Sequence, residues 1–367
     1  MVNTKKSLVR IVVKFLLFLI LATTIAFCAF YASRFSSIAS IERLTDYTDG
    51  FNLYSMDVNY SYDLDRIIAC EVTDSTSYVN AVIKESLPLL PVRISAPEYG
   101  CSAFTMPTKD GSVLMGRNYD FKLDTSAMLI RCHPKDGYSS ISFAALDNIG
   151  VNDATSFKAK IACLTAPFAI LDGVNEKGVS MAVLTLNSPP TFQDTGKDNI
   201  VSSLAIRLVL DRAATTDEAV ELLRQYDMIA IAGRDYHYYI TDASGHGVIV
   251  EYDCDSPTRD MVVSETPAVT NFFFCHKDRA YTDADDGTFS KGMNRYDIIM
   301  SVLEENAGEY SRDTAWEALV GTSQEPNPED VTSNTQWSIV FDDTNLTAEI
   351  VIRRNWADRF MFYLTEH

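Results

Sequence analysis

The sequence predicts an α+β domain placed behind a single membrane-crossing helix. Three observations carry that expectation. Near the amino terminus Lys5, Lys6, Arg10 and Lys14 precede a nearly uncharged apolar run, FLLFLILATTIAFCAFYA. From Cys101 onward the chain breaks into short apolar segments separated by the turns KDGS, NEKG and SGHG. Between these segments lie stretches with apolar residues at three- and four-residue spacing. Strands in hairpins, then paired helices, then more strands make α+β layers.

A spanning helix needs roughly 20 mostly apolar residues, which residues 8–32 supply if Arg10 and Lys14 snorkel. The positive charges lie on the amino side, so that end is expected in the cytoplasm and the remainder outside. A cleaved signal peptide starts the same way. Phe27 and its aromatic neighbours make a poor small-residue cleavage site, and Phe27 before Cys28 argues against a lipoprotein. The expected organisation is a cytoplasmic tail at 1–7, a transmembrane anchor at 8–32, a connecting or propeptide-like segment at 33–100 and a catalytic domain at 101–367. The protein is accordingly expected at the cell membrane, single-pass, with the domain extracytoplasmic.

Composition narrows the partners. In 367 residues, 47% are apolar, enough for a sizeable core. The net charge of −19 argues against nucleic acid, which requires clustered Lys and Arg. The seven cysteines, Cys28, Cys70, Cys101, Cys132, Cys163, Cys254 and Cys275, form no CxxC pair and no zinc spacing. No cofactor or metal is expected. YTDADDGTF lacks the glycine and glutamate positions of an EF-hand and reads as an acidic turn.

Along the chain, residues 33–100 mix Ser- and Asp-rich patches with amphipathic pieces. Pro88, Pro91 and Pro97 favour extended backbone near its end, with a short strand at Leu90–Ile94. CSAFTMPT, KDGS and VLMGRNYDF make a hairpin. AMLIRCHP, SISFAAL and FKAKIACLTA read as further strands, and FAILDGVNEKGVSMAVLTLN as strand–turn–strand. SSLAIRLVLDRA and TTDEAVELLRQY are helical, with Thr215 and Glu218 as a capping box. YHYYITD, VIVEYD and AVTNFFF return to strand, KGMNRYDIIMSVLEEN is a helix, and WSIVFDDTNLTAEIVIRR and FMFYL close the domain.

Cys101 is the candidate nucleophile. A catalytic thiol needs a base and an oxyanion donor. None of His133, His237, His246, His276 and His367 sits in a local Cys–His signature. An α-amino group, with a pKa of roughly 7.7–8.0, can replace histidine. Cutting Gly100–Cys101 would give Cys101 that amine. The bland alternatives are a packed thiol at Cys101, a surface ion pair between Arg117 and Asp120, a turn-satisfying Asn271 and a solvated Arg295.

Cys101 followed by Arg117 and Asp120 within GRNYDF, then GVNEKGVSMAVLTLN, AVTNF and MNRYD in that order, resembles the choloylglycine hydrolases, the bile salt hydrolases and penicillin V acylases of the N-terminal-nucleophile superfamily. The resemblance covers about residues 101–365. It implies a four-layer αββα sandwich and hydrolysis of a linear amide through an acyl-thioester on Cys101. Asp120 would hold the new α-amine, and Arg117 and Arg295 would favour thiolate. Asn271 would donate to the oxyanion, with a second donor from Thr185 or, two residues on, Asn187. The implied partner is a small-molecule amide such as a conjugated bile salt, a phenoxyacetyl penicillin or an N-acyl amine; a homo-oligomer is left open. An acyltransferase shares every site residue, and an inactive membrane-anchored binding domain is the alternative of a different class. Many relatives carry the cysteine directly after the initiator methionine. Here it lies behind an anchor and a further segment, as in relatives made as precursors.

Overall fold

The computed structural model describes residues 2–87, 100–121, 123–282, 291–327, 329 and 333–364. The strand expected at Leu90–Ile94, residues 283–289 of the acidic turn and His367 lie outside them. In chain order the elements begin α1 (Val2–Ser40), β1 (Glu42–Arg43), β2 (Leu53–Val58), α2 (Leu64–Ile68) and α3 (Ser75–Ser86). There follow β3 (Gly100–Pro107), β4 (Val113–Asp120), β5 (Ala127–Cys132), β6 (Ser140–Ala145), α4 (Phe157–Cys163), β7 (Ile170–Asn175) and β8 (Ser180–Leu186). Next come β9 (Asn199–Val201), α5 (Ser202–Arg212), α6 (Thr216–Leu223), β10 (Asp227–Ile229), β11 (Asp235–Thr241), β12 (Gly247–Tyr252), β13 (Met261–Glu265) and β14 (Ala268–Val269). The chain ends with α7 (Lys277–Thr282), α8 (Met293–Glu305), α9 (Arg312–Thr322), β15 (Thr335–Asp342), β16 (Thr347–Ile352) and β17 (Arg359–Tyr363).

Two sheets face each other. One has nine strands in the order β1-β2-β5-β6-β7-β8-β11-β12-β13, the other six in the order β14-β3-β4-β15-β16-β17. β3 packs across the interface on β8 and β11. Helices α5 and α6 cover the outer face of the nine-stranded sheet, and α8 and α9 that of the six-stranded sheet. Strand alternation builds both cores. Cys101 and Ala103 of β3 enter the core between the sheets, whereas Phe104 and Met106 enter the core under α8 and α9.

The NEKG turn is a structural device. Gly178 has φ +77°, and a Cβ there would lie 2.2 Å from the Asp343 carbonyl oxygen. Asn175 Oδ1 accepts from the N–H groups of Lys177 and Val179, while its Nδ2 donates to the Leu210 and Ala213 carbonyls near the end of α5. Half of the expected capping box of α6 is present: Thr215 Oγ1 accepts from Glu218 N–H at 3.1 Å, whereas the Glu218 carboxylate accepts from Ala214 N–H, one residue before the cap.

Three expectations are corrected. FKAKIACLTA is not a strand. Ser156 accepts from Ala159 N–H and starts α4, which buries Ala162 and Cys163 and leaves Phe157 exposed. AVTNFFF is strand only at Ala268–Val269. Residues 33–87 are not a connector. β2 pairs in parallel with β5 from Leu53↔Ala127 to Val58↔Cys132, and Leu53, Tyr54, Met56 and Val58 are buried. α1 runs without a break to Ser40, and its end docks on the domain. There Arg34 donates to the Ser86 and Glu85 carbonyls at 2.7 and 2.9 Å, answering acceptors that a helix C-terminus leaves open.

Candidate active site

Cys101 stands one residue inside β3, opposite Tyr119 of β4. On the other side of β3, the two-residue strand β14 covers only Ala103 and Phe104. The N–H and C=O of Cys101 therefore meet side chains instead of a neighbouring strand. The N–H donates to Asn271 Oδ1 at 3.0 Å, and the carbonyl accepts from Arg295 Nη1 at 2.7 Å. Sγ accepts from Arg117 Nη2 at 3.1 Å. Cys101 has no solvent exposure.

Arg117 and Asp120 are both fully buried and are not each other's partner in a surface pair. Arg117 points between the sheets, where Nε lies 2.7 Å from Asp172 Oδ2 and both terminal nitrogens reach the Val183 carbonyl. Trp337 Nε1 donates to the same Asp172 oxygen at 3.2 Å. Asp120 receives Arg295 Nη1 at 3.3 Å, Gln324 Nε2 at 2.8 Å and Thr335 Oγ1 at 2.6 Å. It does not receive the Cys101 N–H, which goes to Asn271. Arg295 sits in the first turn of α8 behind Gly292, whose φ is +83°. A Cβ at Gly292 would lie 2.8 Å from Arg295 Nη2.

Asn271 ties the site together. Its Oδ1 accepts from Arg295 Nη2 at 2.7 Å as well as from Cys101, and its Nδ2 donates to the Thr185 carbonyl at 2.7 Å. Thr185 is buried in β8. Asn187 lies beyond the strand, exposed, and accepts from Arg234. The geometry thus joins Thr185, not Asn187, to Asn271.

Burial pushes the Cys101 thiol up to about 12, against the downward pull of Arg117 and Arg295. Burial likewise raises Asp172 to about 6 although Arg117 opposes it, and raises Asp120 although Arg295 opposes it. Cys101 is therefore a neutral, enclosed thiol. The histidines make their contacts elsewhere: His237 with Glu251, His276 with Asp253, and His246 near Asp217 and Glu265. Asp172, Gln324 and Thr335 are not among the candidates that the sequence offers. An ionisable residue inside the apolar segment ILDGVN is the available signal for Asp172. Thr335 meets Asp120 only through the β4–β15 pairing.

The family described as linear amide C-N hydrolases, choloylglycine hydrolase family, matches residues 101–263, beginning at Cys101. Across those residues the chain is similar to the choloylglycine hydrolase family. A penicillin V acylase of Pectobacterium atrosepticum is 35% identical over 92 residues, covering 22% of this chain. That alignment spans about a quarter, 24%, of the acylase's length. Among solved structures, a mutant conjugated bile acid hydrolase from Clostridium perfringens superposes with a TM-score of 0.53 at 16% identity, over 72% of this chain and 92% of that one. Penicillin V acylase from Agrobacterium tumefaciens gives 0.51 at 19% identity, over 69% and 83%. At these identities the structures establish a shared fold alone.

Proposed function

We propose that the chain is a membrane-anchored cysteine amidohydrolase of linear amides, activated when the Gly100–Cys101 bond opens. One observation carries the reading: the sulfur, nitrogen and carbonyl oxygen of Cys101 are each held by a different buried side chain, and the family match starts at that residue. Opening the bond turns the nitrogen that now donates to Asn271 into an α-amine near neutral pKa. The amine takes the thiol proton, and the sulfur attacks the substrate carbonyl beside the Arg117 charge. The oxyanion is met by the remaining N–H of Asn271, with Thr185 at its side. The amine returns the proton to the leaving nitrogen. Water then attacks the thioester, releases the acid and restores the thiol. Asp120 positions Arg295, and Arg295 positions Asn271 and the Cys101 carbonyl. The substrate joins an apolar acyl or steroid-like part to a small amine.

α1 includes, within Ile11–Ser40, an 18-residue window of mean hydropathy 2.6, long and apolar enough to cross a membrane. In this reading it does so with the domain outside the cytoplasm. The docking of Arg34 on the end of α3 argues for retention of the helix over its removal as a signal.

The test is intact-mass and amino-terminal sequencing of the purified full chain, followed by a panel of phenoxyacetyl, fatty-acyl and bile-acid amides. A chain beginning CSAF that releases amine from a panel member is expected. A protein with a free Cys101 amine, made if necessary by placing a protease site before Cys101, that turns over no amide overturns the reading.

A further inference from the structure

A second cluster of metal-ligating side chains lies outside the Cys101 site. The loop after β12 carries Asp253, Cys254 and Asp255, and the 3-10 turn before α7 carries Cys275 and His276. These residues are far apart in sequence, so no spacing reveals them. Folding brings the ligand atoms of Asp253, Cys275 and His276 within 4.8 Å of one another. The ligand atoms of Cys254, Asp255 and His276 meet the same limit, so His276 is common to both groups. His276 Nε2 lies 2.7 Å from Asp253 Oδ1. Arg279 engages Asp255 Oδ2 at 2.8 Å, which leaves Asp253 as the better-placed carboxylate.

The surroundings are built. Glu251 is fully buried and accepts from the N–H groups of Phe274 and Cys275 at 2.8 and 2.7 Å, fixing the turn that bears Cys275 and His276. Leu186 and Phe273, both without solvent exposure, pack against Cys254 and Cys275. The result is two overlapping three-ligand groups that share His276, with an apolar wall behind Cys254 and Cys275.

We propose that Cys254, Cys275, His276 and Asp253 form a binding site for a zinc-class divalent cation. Two thiolates, one imidazole and one carboxylate suit a borderline-soft ion in four-fold coordination. Zinc–ligand bonds of roughly 2.0–2.3 Å require Asp253, Cys275 and His276 to close on the ion and Cys254 to turn from its grouping with Asp255 to join them. Binding releases the two thiol protons to solvent and needs no redox partner. The ion would join the end of β12 to the turn that follows Asn271, bracing the segment that presents the candidate oxyanion donor. The site does not depend on the amidase reading.

The full chain, purified in detergent, stripped with a chelator under reducing conditions and titrated with cobalt(II), tests this. Thiolate-to-cobalt charge-transfer absorption saturating at a single ion per chain, and bleached by zinc, is expected. Cys275→Ser and His276→Gln should each weaken binding at least about tenfold, and Cys70→Ser should leave it unchanged. Zinc should raise the thermal midpoint of the wild type and not that of His276→Gln, which sits on a half-exposed turn. Absence of the absorption, its persistence in Cys275→Ser, or a Cys254–Cys275 disulfide in mass mapping of the untreated protein overturns the proposal.

Discussion

Two regions of this molecule contain the same residue types and differ in what they can do. Around Cys101 lie Arg117, Asp172 and Asp120. Around Cys132 lie Arg207, Asp211 and Tyr62. Arg207 Nη2 is 2.5 Å from Asp211 and 2.7 Å from Ser140 Oγ, and Tyr62 OH donates to Asp211 at 2.9 Å. Both thiols are buried and raised by that burial, to about 12 and about 11, with an arginine opposing in each case. The difference is in the main chain. Cys132 is paired on both sides, with Val58 in β2 and Ser140 in β6. Cys101 is paired on one side, and its free edge is held by Asn271 and Arg295. A buried cysteine beside an arginine is not by itself a nucleophile. A cysteine whose backbone nitrogen and oxygen are individually addressed by side chains fits the proposed role of a chain terminus.

The comparison breaks most sharply on activity. Cys101→Ala should lower kcat/KM of the matured enzyme by about 10⁴-fold or more, while Cys132→Ala stays within a few-fold; equal losses would dissolve the distinction. Stability should show the reverse. Arg207→Met leaves Asp211 buried without its cation and should cost about 3–5 kcal/mol in denaturant unfolding, with turnover per folded molecule unchanged. A turnover loss matching that at Cys101 would place the Arg207 cluster in the mechanism. Asn271→Ala removes the proposed oxyanion donor and should lower kcat by about 10²–10³, and a kcat within threefold of wild type would reassign Asn271 to a packing role.

The smallest effect is one of pH. Asp172 is raised by burial to about 6 in the folded chain, against about 3.9 unfolded. The folded state binds the extra proton between those values. The stability this contributes is complete below about pH 4 and is lost as pH rises through about 6, on the order of 2–3 kcal/mol. Asp172→Asn should flatten that part of the stability–pH curve, as followed by unfolding midpoints across the range. An unchanged slope would assign the titration to another carboxyl, with Asp235, also raised by burial to about 6, the next to test.

The sequence made the head of the catalytic domain legible because its signals are local. Cys101, Arg117 and Asp120 fall in one hairpin, and the NEKG turn is specified by Gly178 and Asn175. The α8 helix around Arg295 shows its own periodicity. What stayed hidden depends on contacts between distant segments. Nothing in LYSMDV announces a parallel partner more than seventy residues on. Asp172, Gln324 and Thr335 join the centre only when β7 and β15 are stacked beside β4. With the Gly100–Cys101 bond intact, the free edge of β3 gives the Cys101 N–H to Asn271, while Asp120 bonds Arg295 of α8; neither contact is written in the local sequence.

The parallel pairing of β2 with β5 bears on what a break before Cys101 would leave behind. The severed amino-terminal piece would still contribute an internal strand, with β1 on its outer side and β5 on its inner side, and the buried side chains of Leu53, Tyr54 and Met56. Maturation would then produce a heterodimer without releasing a peptide: one polypeptide on a denaturing gel becoming two, with an unchanged native mass. Among its described residues the larger fragment would have no helix long and apolar enough to cross a bilayer. If α1 crosses a bilayer as proposed, the larger fragment would stay there through β-sheet hydrogen bonds and apolar contacts to the smaller one, so a denaturant, and not a protease, would be what sets it free.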